Sequence, residues 1–154
     1  MLNGLLMKVS HLSYSERSKG INIGESLFED FCNENNYIYY RLGFDAHNTF
    51  KSVYKLNTLL RNIPDYVVET PKGVFVIAVK GTGNIKEDEI NLIPLMLEWY
   101  SSKESPLVYC FCFEDKPIKL LYPEQVIRLY EEAKYDKRFT SDNKIYRSLK
   151  IYDV

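Results

Sequence analysis

The chain reads as a single α/β domain with a mixed central β-sheet flanked by helices, on three observations. Residues 63–82 hold two runs of β-branched and aromatic residues around Thr70-Pro71-Lys72-Gly73, the pattern of an antiparallel hairpin. Residues 21–36, and again those after Asn91, repeat their apolar side chains at helical spacing. Leu107 to Phe113 is a short apolar run typical of a buried strand.

The size suits that fold. A chain of 154 residues, 45% apolar and 27% charged, can build one domain with a proper core and is too short for two comfortable ones. A net charge of −1 does not announce a nucleic-acid binder. The tail is locally basic, with Lys134, Lys137, Arg138, Lys144, Arg147 and Lys150 against Asp136, Asp142 and Asp153. A solvated surface accounts for that as well as a phosphate-facing patch does. Cys32, Cys110 and Cys112 lack metal-binding spacing and fit buried free thiols in a reducing compartment. No apolar run approaches a membrane span and no charged-then-apolar leader is visible, so a cytoplasmic protein without membrane contact is expected.

The elements follow in order. Ile23, Leu27, Phe28, Phe31 and Cys32 define the first helix; Glu25 borders their stripe, with Glu29 on the same side. Tyr37 to Phe44 is dense in strand formers, Asp45 to Asn48 turns, and Phe50, Val53, Leu56 and Leu60 predict a short helix over 49–61. After the hairpin, Gly81-Thr82-Gly83-Asn84 breaks the strand. Pro94 places the start of the next helix near Asn91, because proline belongs in a first turn. Leu95, Met96, Trp99 and Tyr100 would then face the core. Residues 107–113 and 118–122 are strands, and Pro123 to Lys134 is a helix with proline at its first position. Ile145, Arg147, Leu149 and Ile151 alternate as a weak strand signal.

Turn chemistry sets the register of the hairpin. With Pro71 second and Gly73 fourth in the turn, Thr70 pairs with Gly73 and Asp65 falls opposite Ala78. Opposed side chains lie roughly 5 Å apart on one face. Lys80, two residues on, shares that face. A one-residue slip at Gly73 would send Asp65 and Ala78 to opposite faces. A carboxylate and an ammonium at the rim of an apolar sheet both need partners.

Singly, these residues have plain readings. Asp65 can be a turn residue, Glu25 can answer the helix dipole, and Lys80 can reach into water. Together, Gly24-Glu25 opening a helix, then Pro64-Asp65, then Ala78-Val79-Lys80 resemble the core of the PD-(D/E)XK nuclease superfamily, which includes Holliday-junction resolvases and many restriction enzymes. The likeness covers about residues 21–113, with 117–154 as a strand-helix extension. It implies an αβββαβ restriction-endonuclease-like core that uses Mg²⁺ or Mn²⁺ to hydrolyse DNA phosphodiesters. By the same likeness, Asp65, Glu25 and the backbone carbonyl of Val79 would hold the metal, and Lys80 would orient the attacking water. Lys86, Thr82 and Lys55 become the candidate DNA contacts. Many members act as dimers because two strands need cutting, so a homodimer is a candidate assembly.

Ala78 stands where the superfamily has Asp or Glu. A site abandoned long ago should have filled this slot, since a void costs about 1 kcal/mol or more per lost methyl, and should have lost Lys80 too. The expectation is an inactivated variant of an active nuclease. Two alternatives stay open. The acid has migrated, in which case Glu69, roughly 13 Å along the strand, is too far, while Glu87 or Glu89 can swing closer. Otherwise the chain is a non-catalytic nucleic-acid-binding or assembly module on a nuclease-like scaffold. His11 and His47 offer no zinc or acid–base arrangement, and Gly81-Thr82-Gly83 lacks the lysine of a phosphate-binding P-loop.

Overall fold

Thr70 and Gly73 are paired at the tip of the hairpin formed by β2 (Tyr66–Thr70) and β3 (Gly73–Lys80) in the computed structural model. The structure describes residues 23–42, 62–138 and 143–153; Lys55, His11, His47 and the helix expected over 49–61 lie outside them. Gly73 has φ +130°, a conformation that side chains with a Cβ avoid, and the Thr70 hydroxyl accepts the Lys72 N–H at 3.1 Å. Tyr66 faces Ile77, so one further step puts Asp65 opposite Ala78. The Asp65 N–H donates to the Ile77 carbonyl at 2.9 Å there.

The hairpin is the centre of a five-stranded sheet. β1 (Ile38–Arg41) runs antiparallel to β2, β5 (Leu107–Phe111) parallel to β3, and β6 (Lys119–Leu121) antiparallel to β5. The order is therefore β1-β2-β3-β5-β6, a mixed sheet within a single α/β domain. The parallel pair requires a crossover, supplied by α2 (Glu87–Tyr100). On one face, α1 (Ile23–Glu34) packs Phe28 and Cys32 against Tyr66, Val68, Ile77 and Val79. On the other, Ile93 and Met96 of α2 join Val126 and Leu129 of α3 (Pro123–Ala133) against Val76, Ala78, Leu107 and Tyr109. Covered from both sides, β5 is buried at all five positions. The three cysteines are free thiols inside this packing.

A second sheet, β4-β8-β7, joins β4 (Asn84–Lys86) to β8 (Ile145–Ser148) and β7 (Lys137–Arg138). Gly83 marks the crossing: a Cβ there would lie 2.9 Å from the Leu149 carbonyl, and the Leu149 N–H donates to the Gly83 carbonyl at 2.8 Å. This glycine serves a backbone–backbone approach within the fold.

Two sequence expectations about α2 fail. The helix starts at Glu87, not Asn91, because Glu87, Asp88 and Glu89 supply the acidic first turn that the helix dipole favours. Glu89 also accepts the Lys86 N–H at 3.4 Å. Pro94 consequently sits inside the helix, on its exposed side, where water can reach the carbonyl it leaves unpaired. The core stripe runs through Ile93, Met96 and Tyr100, which turns Leu95 (45% exposed) and Trp99 (65% exposed) outward. Among the described residues, no helix is long and apolar enough to cross a membrane.

Candidate active site

At the end of the hairpin away from its turn, β2 has stopped and β3 continues to Lys80. Val79 thus projects beyond its partner strand, and its N–H donates to the Asp65 carboxylate at 2.7 Å. In a strand the carbonyl leaves on the same side as the N–H, which turns the Val79 oxygen toward Asp65 as well. α1 reaches this point because its start runs against the end of β3: a Cβ on Gly81 would lie 3.6 Å from the Gly24 Cα. That approach brings Glu25, in the first turn, beside Asp65. The result is a pocket of about 200 Å³ bounded by Glu25, Asp65, Ala78, Val79, Lys80 and Glu89, with Tyr109 at its wall.

Two carboxyls crowd one side. Burial and the neighbouring Asp65 push the Glu25 carboxyl up to about 7 from its ordinary 4.5, and the two side chains are hydrogen-bonded. Burial likewise raises Asp65, against the Val79 N–H and Lys80, which favour its ionised form. Paired carboxyls in a half-closed pocket need a shared proton or a cation. Behind them stands Arg41, 3.3 Å from Glu25 and 3.4 Å from Glu29. Glu29 is buried and accepts hydrogen bonds from the hydroxyls of Tyr66 and, at 3.2 Å, Tyr39.

The other side is cationic and then acidic again. Lys80 points into the pocket and is ion-paired with Glu89 from the first turn of α2. Glu89 therefore lines the same pocket as Ala78. This is the acid raised at the sequence level as one that could move in, whereas Glu87 is exposed. Arg41 and Tyr109 carried no signal in the sequence reading; both arrive through strand pairing, Arg41 opposite Tyr66 and Tyr109 alongside Ala78.

The proposed DNA contacts are less concentrated. Lys86 is the residue capping the start of α2 and is half-buried, and Thr82 is exposed, its hydroxyl accepting the Asn84 N–H at 3.2 Å. Lys55 lies outside the described residues.

The pocket's donors are carboxylates and a backbone carbonyl, hard oxygen ligands that suit Mg²⁺ or Mn²⁺ and not the softer metals. Among the described residues no three His, Cys, Asp or Glu side chains converge closely enough to form a metal cage. With Glu89 paired to Lys80, the Glu25 and Asp65 carboxyls and the Val79 carbonyl are the oxygens of this pocket that could hold an ion, which would keep several waters. A larger cavity of about 480 Å³ lies elsewhere, between α1 and β6, but its walls are mainly apolar: Phe28, Phe31, Phe75, Val108 and Leu120. No family model, no curated protein and no solved structure matches the chain.

Proposed function

We propose that this protein is a Mg²⁺- or Mn²⁺-dependent deoxyribonuclease on a restriction-endonuclease-like core. Among the described residues the order α1-β1-β2-β3-α2-β5, with β4 between β3 and α2, supports the αβββαβ assignment. The observation that carries the reading is the meeting of Glu25, Asp65 and Lys80 in one pocket at the open end of the hairpin.

Asp65, Glu25 and the Val79 carbonyl would hold the ion, which when bound supplies Lewis acidity at phosphorus and a more acidic water. Lys80 positions the attacking water and offsets the negative charge that grows on the phosphate oxygens. Glu89 fixes the lysine head group and stands in for the acid missing at position 78. Hydrolysis consumes one water. Its oxygen bonds to phosphorus, the bond to one ester oxygen breaks, and the water's protons end on that leaving oxygen and in solvent. The products are a phosphate monoester end and a hydroxyl end.

Ala78 favours two other readings, a lesion that silences the enzyme and a binding module that never cut. One assay separates all three: supercoiled, linear and branched DNA with Mn²⁺, using the natural sequence, Ala78→Glu, and each combined with Lys80→Ala. Cutting by the natural sequence that vanishes with Lys80→Ala is the expected result. Cutting only after Ala78→Glu assigns the loss to position 78. Silence from every variant, with DNA still retained, leaves the binding module and ends the nuclease reading.

A further inference from the structure

Tyr109 is the unexplained residue of this pocket. It sits in the middle of β5, the most enclosed strand, and only 5% of it is exposed. Its ring belongs to the cluster of Ala78, Met96 and Phe111. Phenylalanine would satisfy that packing without introducing a polar atom. Yet among the described residues the Tyr109 hydroxyl has no hydrogen-bond partner. Nor is it sealed in the core, as the unpartnered hydroxyl of Tyr130 is. Tyr109 lines the pocket, and its phenol lies within electrostatic reach of Glu89 and Asp65. A buried hydroxyl without a partner is disfavoured unless something outside the chain accepts from it.

Ala78 becomes intelligible in the same geometry. Parallel pairing sets Ala78 directly beside Tyr109, both on the face covered by α2. A longer side chain at 78 would compete with the tyrosine for the same floor. The small residue is then the complement of a large one next door.

We propose that Tyr109 is a catalytic residue of the phosphodiester cleavage, its hydroxyl donating a hydrogen bond to a non-bridging oxygen of the scissile DNA phosphate. The inference rests on the nuclease reading and deepens it. Lys80 and Tyr109 would approach the phosphate from neighbouring strands, one bringing charge and the other a neutral donor. Burial, with Glu89 and Asp65 close by, pushes the Tyr109 phenol up, so the proton needed for donation stays on the oxygen at neutral pH.

The test compares the natural sequence with Tyr109→Phe, Asp65→Asn and Lys80→Ala in Mn²⁺-dependent nicking of supercoiled plasmid. Melting temperature and the affinity for a labelled duplex in Ca²⁺ are measured alongside. Tyr109→Phe is expected to lower the maximal rate about 100-fold, as loss of one preorganised donor does. KM and duplex affinity should move less than about threefold and the melting temperature should hold or rise, since only an unpartnered hydroxyl is removed. Nicking by Tyr109→Phe within about threefold of the natural sequence overturns the assignment while leaving the nuclease reading intact, provided Asp65→Asn and Lys80→Ala are silent. Nicking that survives Asp65→Asn and Lys80→Ala overturns both; no nicking by the natural sequence overturns the Tyr109 assignment, and the nuclease reading falls with it only when Ala78→Glu is silent too.

Discussion

Two glutamates, each on the inner side of a helix, reach toward the central hairpin from opposite faces of the sheet, and their surroundings differ. Glu29 of α1 is enclosed and saturated: Tyr66, Tyr39 and Arg41 all donate to it. Glu89 of α2 is more open, pairs with Lys80, and shares its pocket with a tyrosine whose hydroxyl has no hydrogen-bond partner among the described residues. The first arrangement is closed and holds α1, and with it Glu25, against the sheet. The second leaves a cation and a donor oriented toward empty volume. Satisfied polar clusters specify structure; under the proposed reading, the incompletely satisfied one at the rim of the sheet is where the metal and the phosphate would sit.

The comparison breaks most sharply at Asp65, between the two. Asp65→Asn should lower Mn²⁺-dependent cleavage by more than about a thousandfold, the scale expected when a metal-holding carboxylate is lost. Because burial already disfavours its charged form, the melting temperature of the metal-free variant should not fall. Glu29→Ala is expected to do the reverse. Stranding two tyrosine hydroxyls and leaving Arg41 with Glu25 as its remaining carboxylate partner in this cluster should cost about 3 kcal/mol, read as a fall in melting temperature of about 10 °C. Residual activity should fall only through the fraction unfolded. Glu89→Ala comes next, with stability changed by less than about 1 kcal/mol, since the pair it breaks is partly solvated, but cleavage slowed about 30-fold.

The smallest effect concerns pH. Glu25 holds its proton more tightly folded than unfolded, so its contribution to stability is complete below its ordinary 4.5 and is lost as pH rises through about 7. In chelator-treated protein the melting temperature should decline between about pH 5 and 8, and Glu25→Gln should flatten the decline. A slope unchanged by Glu25→Gln would show that this carboxyl is not the group responsible.

How much of this could be read beforehand depended on how local each cause is. The register of β2 and β3 follows from four turn residues and a period of two, and it carries Asp65 to Ala78 without further information. Glu25, Asp65 and Lys80 were legible as short motifs on elements of the right type. Arg41 was not, because its significance comes from two glutamates on a helix sixteen and twelve residues earlier. Tyr109 looked like one more aromatic in an apolar run; only the neighbouring strand gives its hydroxyl a meaning. Pro94 points to a start of α2 near Asn91, but three consecutive acids set it at Glu87, since an exposed proline can be borne within a helix and an acidic first turn favours a start. The outward placement of Leu95 and Trp99 needed the sheet itself to decide which stripe of α2 is inner.

The crossing of Gly83 with Leu149 ties the pocket to the segment that follows β8. Ile85, almost wholly enclosed, is paired with Arg147, and the next residue but one begins the helix that delivers Glu89. Trimming the chain just before β8 would unclasp this anchor and let the origin of that helix drift, so a shortened protein should lose its grip on Lys80 even though every residue of the pocket is still encoded.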